Sequence, residues 1–434
     1  MEAIAQGMVR RTGRWPIVPI SLQPLLHHAC SSATRLAILL SLLPLGCNHA
    51  QSIPESAPGA PMVRVLVLEN RPRVNLTASE APSVHVGTGA AQPLDISPGA
   101  AIPVSLTALG WKLGAARLGF GQLTVEPASD GTVRVDGHAY RGRYRFIPRG
   151  GGTFDVVNDV DVDGYLMGVL PKEMYASWHK ESYRALAVVA RTYAVYVSRT
   201  NAAASGYDLF ADTRSMMYGG MDAESAKSRA AVEATRGIVL AYGAPGQEKI
   251  FKAYYSSCCG GVTQDASDAF GEPPIEPLSE QNIGPRCTES PYFNWPTVTI
   301  SRTELTRRIR LWGAHNNAPE ANIGPVLRID ILSSNHFGRP ASFIITDTRG
   351  YQYRLNCEDT RLAINTDANG GATLPSSFCR PVNSATDIRF TQGHGYGHGV
   401  GLCQWCTQHE AIAGVPYRQI VLSAFPKAVL LKAY

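Results

Sequence analysis

The chain of 434 residues is poor in charge, at 17% Asp, Glu, Lys and Arg, and beyond residue 50 it contains no lysine- or arginine-rich run. Gripping a phosphate backbone takes clustered cations, so nucleic acid is excluded as a partner. Long apolar runs are missing as well. The stretch from Leu36 to Gly46 is eleven residues broken by Ser41 and Pro44, whereas crossing roughly 30 Å of hydrocarbon takes about 20 apolar residues. No internal repeat stands out. With 44% hydrophobic residues, the composition excludes a disordered, collagen-like or coiled-coil chain and fits a globular one.

The small positive balance has an address. Forty basic and 35 acidic residues give +5, of which residues 1–50 supply +3 through Arg10, Arg11, Arg14 and Arg35 against Glu2. The remainder, 36 basic and 34 acidic, is nearly neutral. A basic flank, a short apolar region and a small residue describe an export signal over residues 1–47. Gly46-Cys47 also matches a lipoprotein site that would anchor the chain to a membrane, although Pro44 stands where such signals usually carry Leu. An exported protein of the cell envelope or periplasm is expected. Seven of the nine cysteines lie beyond the leader; in an oxidising compartment they point to disulfides, and an odd number leaves at least one thiol free, metal-bound or paired elsewhere.

Residues 48–61, with Pro54, Pro58, Gly59 and Pro61, read as a flexible tether. From 62 to 157 short strand-like runs alternate with turn signals such as Asp130-Gly131 and Asp136-Gly137, predicting a β-rich N-terminal part. Residues 158–434 are expected to form an α+β core. There Tyr183, Leu186, Ala187, Ala190, Ala194 and Val197 share one helical face, with Ser177 as the predicted N-cap. A second helix is predicted from Asp222 to Thr235 with Gly237 as its stop, then a hairpin of 238–242 and 249–255, and a helix from Gln404 to Ala413.

Several motifs invite chemistry. Residues 158–164 imitate a calcium loop, but Leu170 occupies the position that needs a bidentate Glu, so a strand entering a turn is the better reading. Five glycines alternate through 393–401 around His394 and His398; no Gly-Lys-Ser/Thr follows, and His409-Glu410 lacks the second His of a zincin motif. Such glycines suit either a site floor or a tight structural crossing. Adjacent Cys258 and Cys259 cannot easily bond to each other, and a Cys259–Cys287 disulfide is the leading expectation, with a zinc site as the alternative. Cys403-x-x-Cys406 shares its spacing with redox and metal sites; a structural bridge or pairings with Cys357 and Cys379 also remain open. Glu173 sits among Pro171, Met174, Tyr175 and Trp178. Apolar and aromatic company raises a carboxyl pKa, as a general acid near neutrality requires.

In order along the chain, Val63-Arg64-Val65-Leu66, the run from Asp163 to Met174, the run from Ala185 to Ala194, Tyr254 to Gly261, and Gly397 to Gly401 with Gln404 resemble the stage II sporulation protein D family, which includes the amidase enhancers. The resemblance covers roughly 62–434. It implies a sporulation protein D-like α+β fold, a β-rich region joined to a helical catalytic core, and a peptidoglycan lytic transglycosylase that leaves 1,6-anhydro-N-acetylmuramic acid. On that likeness Glu173 matches the catalytic glutamate. Arg191, His398 and Gln404 become candidates for shaping a glycan cleft, and Tyr165, Tyr175 and Trp178 for stacking on sugars. The implied partners are glycan strands and a cell-wall amidase that a non-catalytic protein would activate; no cofactor is implied. The chain departs from the family in having Cys403 and Trp405-Cys406 around the final Gln, where Ser and a Gly-Ala pair are usual. Zinc-binding members have a His in the hairpin segment, where Ser256 and Ser257 stand here, and that difference favours disulfides over zinc.

Overall fold

A computed structural model describes residues 59–201 and 206–434; the leader and nearly all of the tether lie outside the described residues. Helices make up 27% and strands 32% of the chain, distributed over several sheets, so the α+β class is as expected. Among the described residues no helix is long and apolar enough to cross a membrane.

The β-rich part forms two mainly antiparallel sheets of six and seven strands. Between them lies a core that includes Leu76, Val104, Trp111, Val125, Tyr144 and Phe146. Trp111 sets its ring edge-on to Phe154 at 5.1 Å. Strand β1 (Met62–Arg71) pairs along most of its length with the strand Phe154–Asp161. Val63, Val65 and Val160 turn away from this core into a second, larger one, and the late strand Leu209–Phe210 adds alongside β1. The sheet therefore continues through residues 157 and 158, and the two parts share it.

At Asp161 the strand becomes helix α1 (Val162–Glu173), because the Asp161 carboxylate accepts from the Gly164 amide and caps the first turn. The calcium-like stretch is thus strand and helix cap. Helix α2 (Lys180–Thr200) follows the apolar periodicity, but its N-cap is His179 rather than Ser177. The helix predicted from Asp222 to Thr235 is interrupted at Glu224: a four-residue turn, Gly220–Ala223, precedes Ala226–Ala234, which a Ser225/Ser228 capping box starts. The hairpin turns as predicted, yet only Lys249–Ile250 pairs back onto Ile238–Tyr242. Tyr255–Ser256 instead pairs in parallel with Leu402–Cys403, just ahead of the helix Gln404–Ile412.

That last crossing is tight. A Cβ on Gly401 (φ +70°) would stand 2.2 Å from the Tyr254 carbonyl oxygen, and one on Gly399 (φ +77°) 2.2 Å from an Arg339 guanidinium nitrogen. Only glycine meets both the space and the left-handed backbone there.

Helices α1 and α2 are clamped by charge as well as by packing. The fully buried Arg191 guanidinium donates to Asp163 at 2.9 Å and to the carbonyls of Val232 and Ile238, and the Tyr434 hydroxyl donates to the same carboxylate. Removing one partner of a buried pair strands the other charge, at a cost of about 3–5 kcal/mol, while an exposed pair is worth about 0–1 kcal/mol. Arg191→Met should therefore lower the urea unfolding free energy by about 3–5 kcal/mol. Glu69→Gln, which removes the exposed partner of Arg214, should change it by less than about 1 kcal/mol.

Candidate functional site

Glu173 is the last residue of α1 and is 6% exposed. Its Oε1 accepts a 2.8 Å hydrogen bond from the Met217 backbone N–H, and the Tyr255 hydroxyl and Gln404 amide also bond its carboxyl. Gln404 donates from Nε2 to the Glu173 main-chain oxygen at 2.9 Å, fixing the turn that carries the side chain. Four segments far apart in sequence thus converge on one acid: the end of α1, the loop containing Met217, the short strand at Tyr255 and the start of the helix at Gln404.

Burial is the dominant influence on this carboxyl and pushes it up to about 7, while Met217, Tyr255 and Gln404 support the anion and hold the rise in check. The position at a helix C-terminus, the negative end of the macrodipole, opposes the anion further. Tyr255 is pushed well above its ordinary value by burial and by the nearby Glu173 charge, so it stays a neutral donor. The result is an acid that gains and loses its proton near neutrality, flanked by donors that receive the negative charge whenever the proton leaves.

The other candidate residues divide. Gln404 is brought onto Glu173. Tyr175 and Trp178 pack with Trp405 at centroid separations of 5.3, 5.8 and 5.1 Å, an aromatic trio anchored two residues past Glu173 and one past Gln404. Tyr175 and Trp405 are half-buried, while Trp178 is buried. Arg191 does not reach a cleft: it has no exposed surface, and its donors are taken by Asp163, Thr235, Tyr434 and main-chain carbonyls. Tyr165 is also fully buried, tilted against Tyr218 at 4.7 Å, so its ring is core rather than a sugar platform. His398 packs on Tyr254 and Phe270, and its Nδ1 accepts from the Val400 amide. Burial pushes it down to about 4, which makes it a neutral structural residue of the turn.

The sequence reading missed three contributors. Tyr255 carried a signal, being an aromatic residue inside a matching run, whereas Trp405 stood out only as a departure beside Gln404. The Met217 amide carried none, because a backbone N–H leaves no mark on residue type. The expected Cys259–Cys287 bridge is not formed either: all seven described cysteines are free, and these two sulphurs stand 3.6 Å apart. Cys406 approaches Cys259 equally closely, at 3.7 Å, so no single pair is singled out.

Residues 150–242, which hold α1, Glu173, α2 and Met217, match the family described as stage II sporulation protein, SpoIID. Over that segment the chain is similar to this family. An uncharacterized protein of Brachyspira hyodysenteriae is 28% identical over 287 residues, covering 66% of this chain and 71% of that one. The amidase enhancer of Bacillus subtilis is 27% identical over 301 residues, 61% of this chain but only 40% of its own length.

The raised carboxyl has a cost that can be measured. A Glu held at about 7 in the fold, against 4.5 when unfolded, binds its proton more tightly when folded, so stability is full below about pH 4.5 and declines as the pH rises through 7. The loss is on the order of 3 kcal/mol, at 1.36 kcal/mol per unit. Glu173→Gln cannot ionise. Its unfolding free energy relative to wild type, followed by urea titration, should therefore gain on the order of 3 kcal/mol between about pH 4.5 and pH 8.

Proposed function

We propose that the chain is a peptidoglycan lytic transglycosylase that cuts the bond between N-acetylmuramic acid and N-acetylglucosamine. The observation that carries this reading is one buried acid poised near neutrality: burial pushes the Glu173 carboxyl up to about 7 while an amide N–H, a phenol and a side-chain amide support its anion, so one group can both give and take a proton. Ordinary glycosidases need a pair, one as acid and one to act as nucleophile or to activate water. An intramolecular transfer does not. Protonated Glu173 gives its proton to the glycosidic oxygen as the bond to C1 breaks. The resulting carboxylate then takes the proton of the muramoyl C6 hydroxyl as that oxygen closes onto C1. The 1,6-anhydro ring forms, the proton returns to Glu173, and water takes no part. Met217, Tyr255 and Gln404 hold the carboxylate between the two steps, and Tyr175 with Trp405 offers a half-buried aromatic face to the sugar.

The amidase enhancer named among the relatives supports a second reading, a non-catalytic glycan-binding partner that activates a cell-wall amidase. Both place the chain outside the cytoplasm, on the wall, in keeping with the leader's export pattern and its lipoprotein-like cysteine.

Products separate them. Incubation of the protein with peptidoglycan, with and without stem peptides, should yield anhydromuramoyl fragments by mass spectrometry, and Glu173→Gln should lower their rate by about 10²–10⁴-fold, the usual worth of general acid–base catalysis. Because the acid must be protonated at the outset, the wild-type rate should fall above about pH 7. Equal product profiles for wild type and Glu173→Gln would sink the transglycosylase and leave the activator.

A further inference from the structure

Four cysteines that the chemistry above does not use converge from three segments. Cys259 follows the hairpin, Cys287 belongs to the proline-rich loop, and Cys403 with Cys406 opens the helix Gln404–Ile412. All four are buried, and their sulphurs lie within 4.8 Å of one another. We propose that Cys259, Cys287, Cys403 and Cys406 form a tetrathiolate zinc site that fixes the helix carrying Gln404.

The spacing of the sulphurs fits a metal better than a bridge. With Zn–S near 2.3 Å, the edge of a tetrahedron is about 3.8 Å, and the two closest approaches here are 3.6 and 3.7 Å. A disulfide would draw one pair to about 2.05 Å, whereas Cys259 stands almost equally far from Cys287 and Cys406 and so favours neither. The local backbone is that of a metal knuckle. The amides of Cys259 and Cys406 both point at the Cys403 sulphur, at 3.3 and 3.4 Å, and amide donors to sulphur orient and stabilise a bound thiolate. Cys403 is also the N-cap of its helix, at the positive end of the macrodipole.

An independent observation concerns charge. Arg339 is completely buried, and its guanidinium donates to the carbonyls of Cys259, Val262 and His398. Its Nε has no partner, and among the described residues no carboxylate lies within ion-pairing distance. The nearby Glu358 is already paired with Arg361. Leaving a cation uncompensated in the interior costs several kcal/mol. Four thiolates around Zn²⁺ carry a net charge of −2, and that anion would sit beside the Cys259 carbonyl that Arg339 grips. An entry path exists too, a cleft of about 200 Å³ lined by Cys403, Cys406, Thr407, Glu410 and Arg286. Its donors are all thiolates, whereas the zinc considered from sequence relied on a histidine. The inference does not depend on what Glu173 does.

The test uses the full chain purified in reductant without chelator. Wild type should contain one zinc per chain by elemental analysis, and Co²⁺ exchanged into the site should give thiolate-to-metal charge transfer and tetrahedral d–d bands. Cys403→Ser/Cys406→Ser should lose the metal. Cys379→Ser, which removes a buried thiol outside the cluster, should keep it, and Cys406→His, which preserves a ligand, should keep it with altered cobalt bands, so a mere folding failure is recognisable. Chelation should shift the emission of Trp405 and expose four additional thiols to a thiol reagent. Folded wild type that binds no zinc, iron in its place, or a Cys259–Cys287 disulfide mapped in the native protein would each overturn the proposal.

Discussion

A parallel ladder of two residues, Tyr255–Ser256 against Leu402–Cys403, holds the rest of the site in place. It joins segments about 147 residues apart, and from its ends project Tyr255 and Gln404 toward Glu173 on one side, Cys259, Cys403 and Cys406 toward each other on the other. So short a pairing has no stability of its own. Its support comes from what surrounds it: glycines that allow backbone contact, a guanidinium tying three carbonyls together, and a knot of sulphur. The fold invests its tightest packing where its most distant segments meet, and the acid sits at the edge of that packing.

Burial and hydrogen bonding pull the Glu173 carboxyl in opposite directions, and the balance is what makes it useful. Desolvation alone would keep it protonated and inert as a base; three donors alone would keep it ionised and inert as an acid. Together they leave it near neutrality, where the carboxyl can both give and take a proton. The donors come from three different elements, so displacement of any one of them shifts the balance, and the rigid scaffold around Arg191 and Asp163 serves the site without touching it.

Legibility in the sequence followed distance along the chain. Helix α2 was readable from its apolar period because a helix face is a local pattern, and Glu173 was readable from its immediate apolar neighbours. The cap at His179 was misplaced by two residues, since Ser177 is the commoner capping residue and nothing local marks where the turn begins. Arg191 was offered as a cleft residue by the family likeness alone, while its partner Asp163 lies 28 positions back and Tyr434 lies 243 ahead, too far apart for any local pattern to show the pairing. The β-rich part was recognisable by alternation, yet its sheet runs on past residue 157, because β1 serves both cores with opposite faces. A strand's two faces are visible in sequence; which body each face joins is not.

The departures from the family pattern gain a common cause once the fold is seen. Cys403 and Cys406 flank Gln404, which bonds the Glu173 main chain, and read singly they are unrelated exchanges of one small residue for another. In three dimensions they meet Cys259 and Cys287 from other loops. Packing alone rewards any small apolar residue at such positions, and gives no reason for four of one kind to converge from three segments on a single point beside an unpaired buried cation. Sulphur chemistry does give one, because a soft tetrahedral cation needs all four ligands at once. The histidine missing from the hairpin then marks no loss: this chain ties the same crossing together with a different donor set, and the tie falls one residue from the side chain that holds the acid.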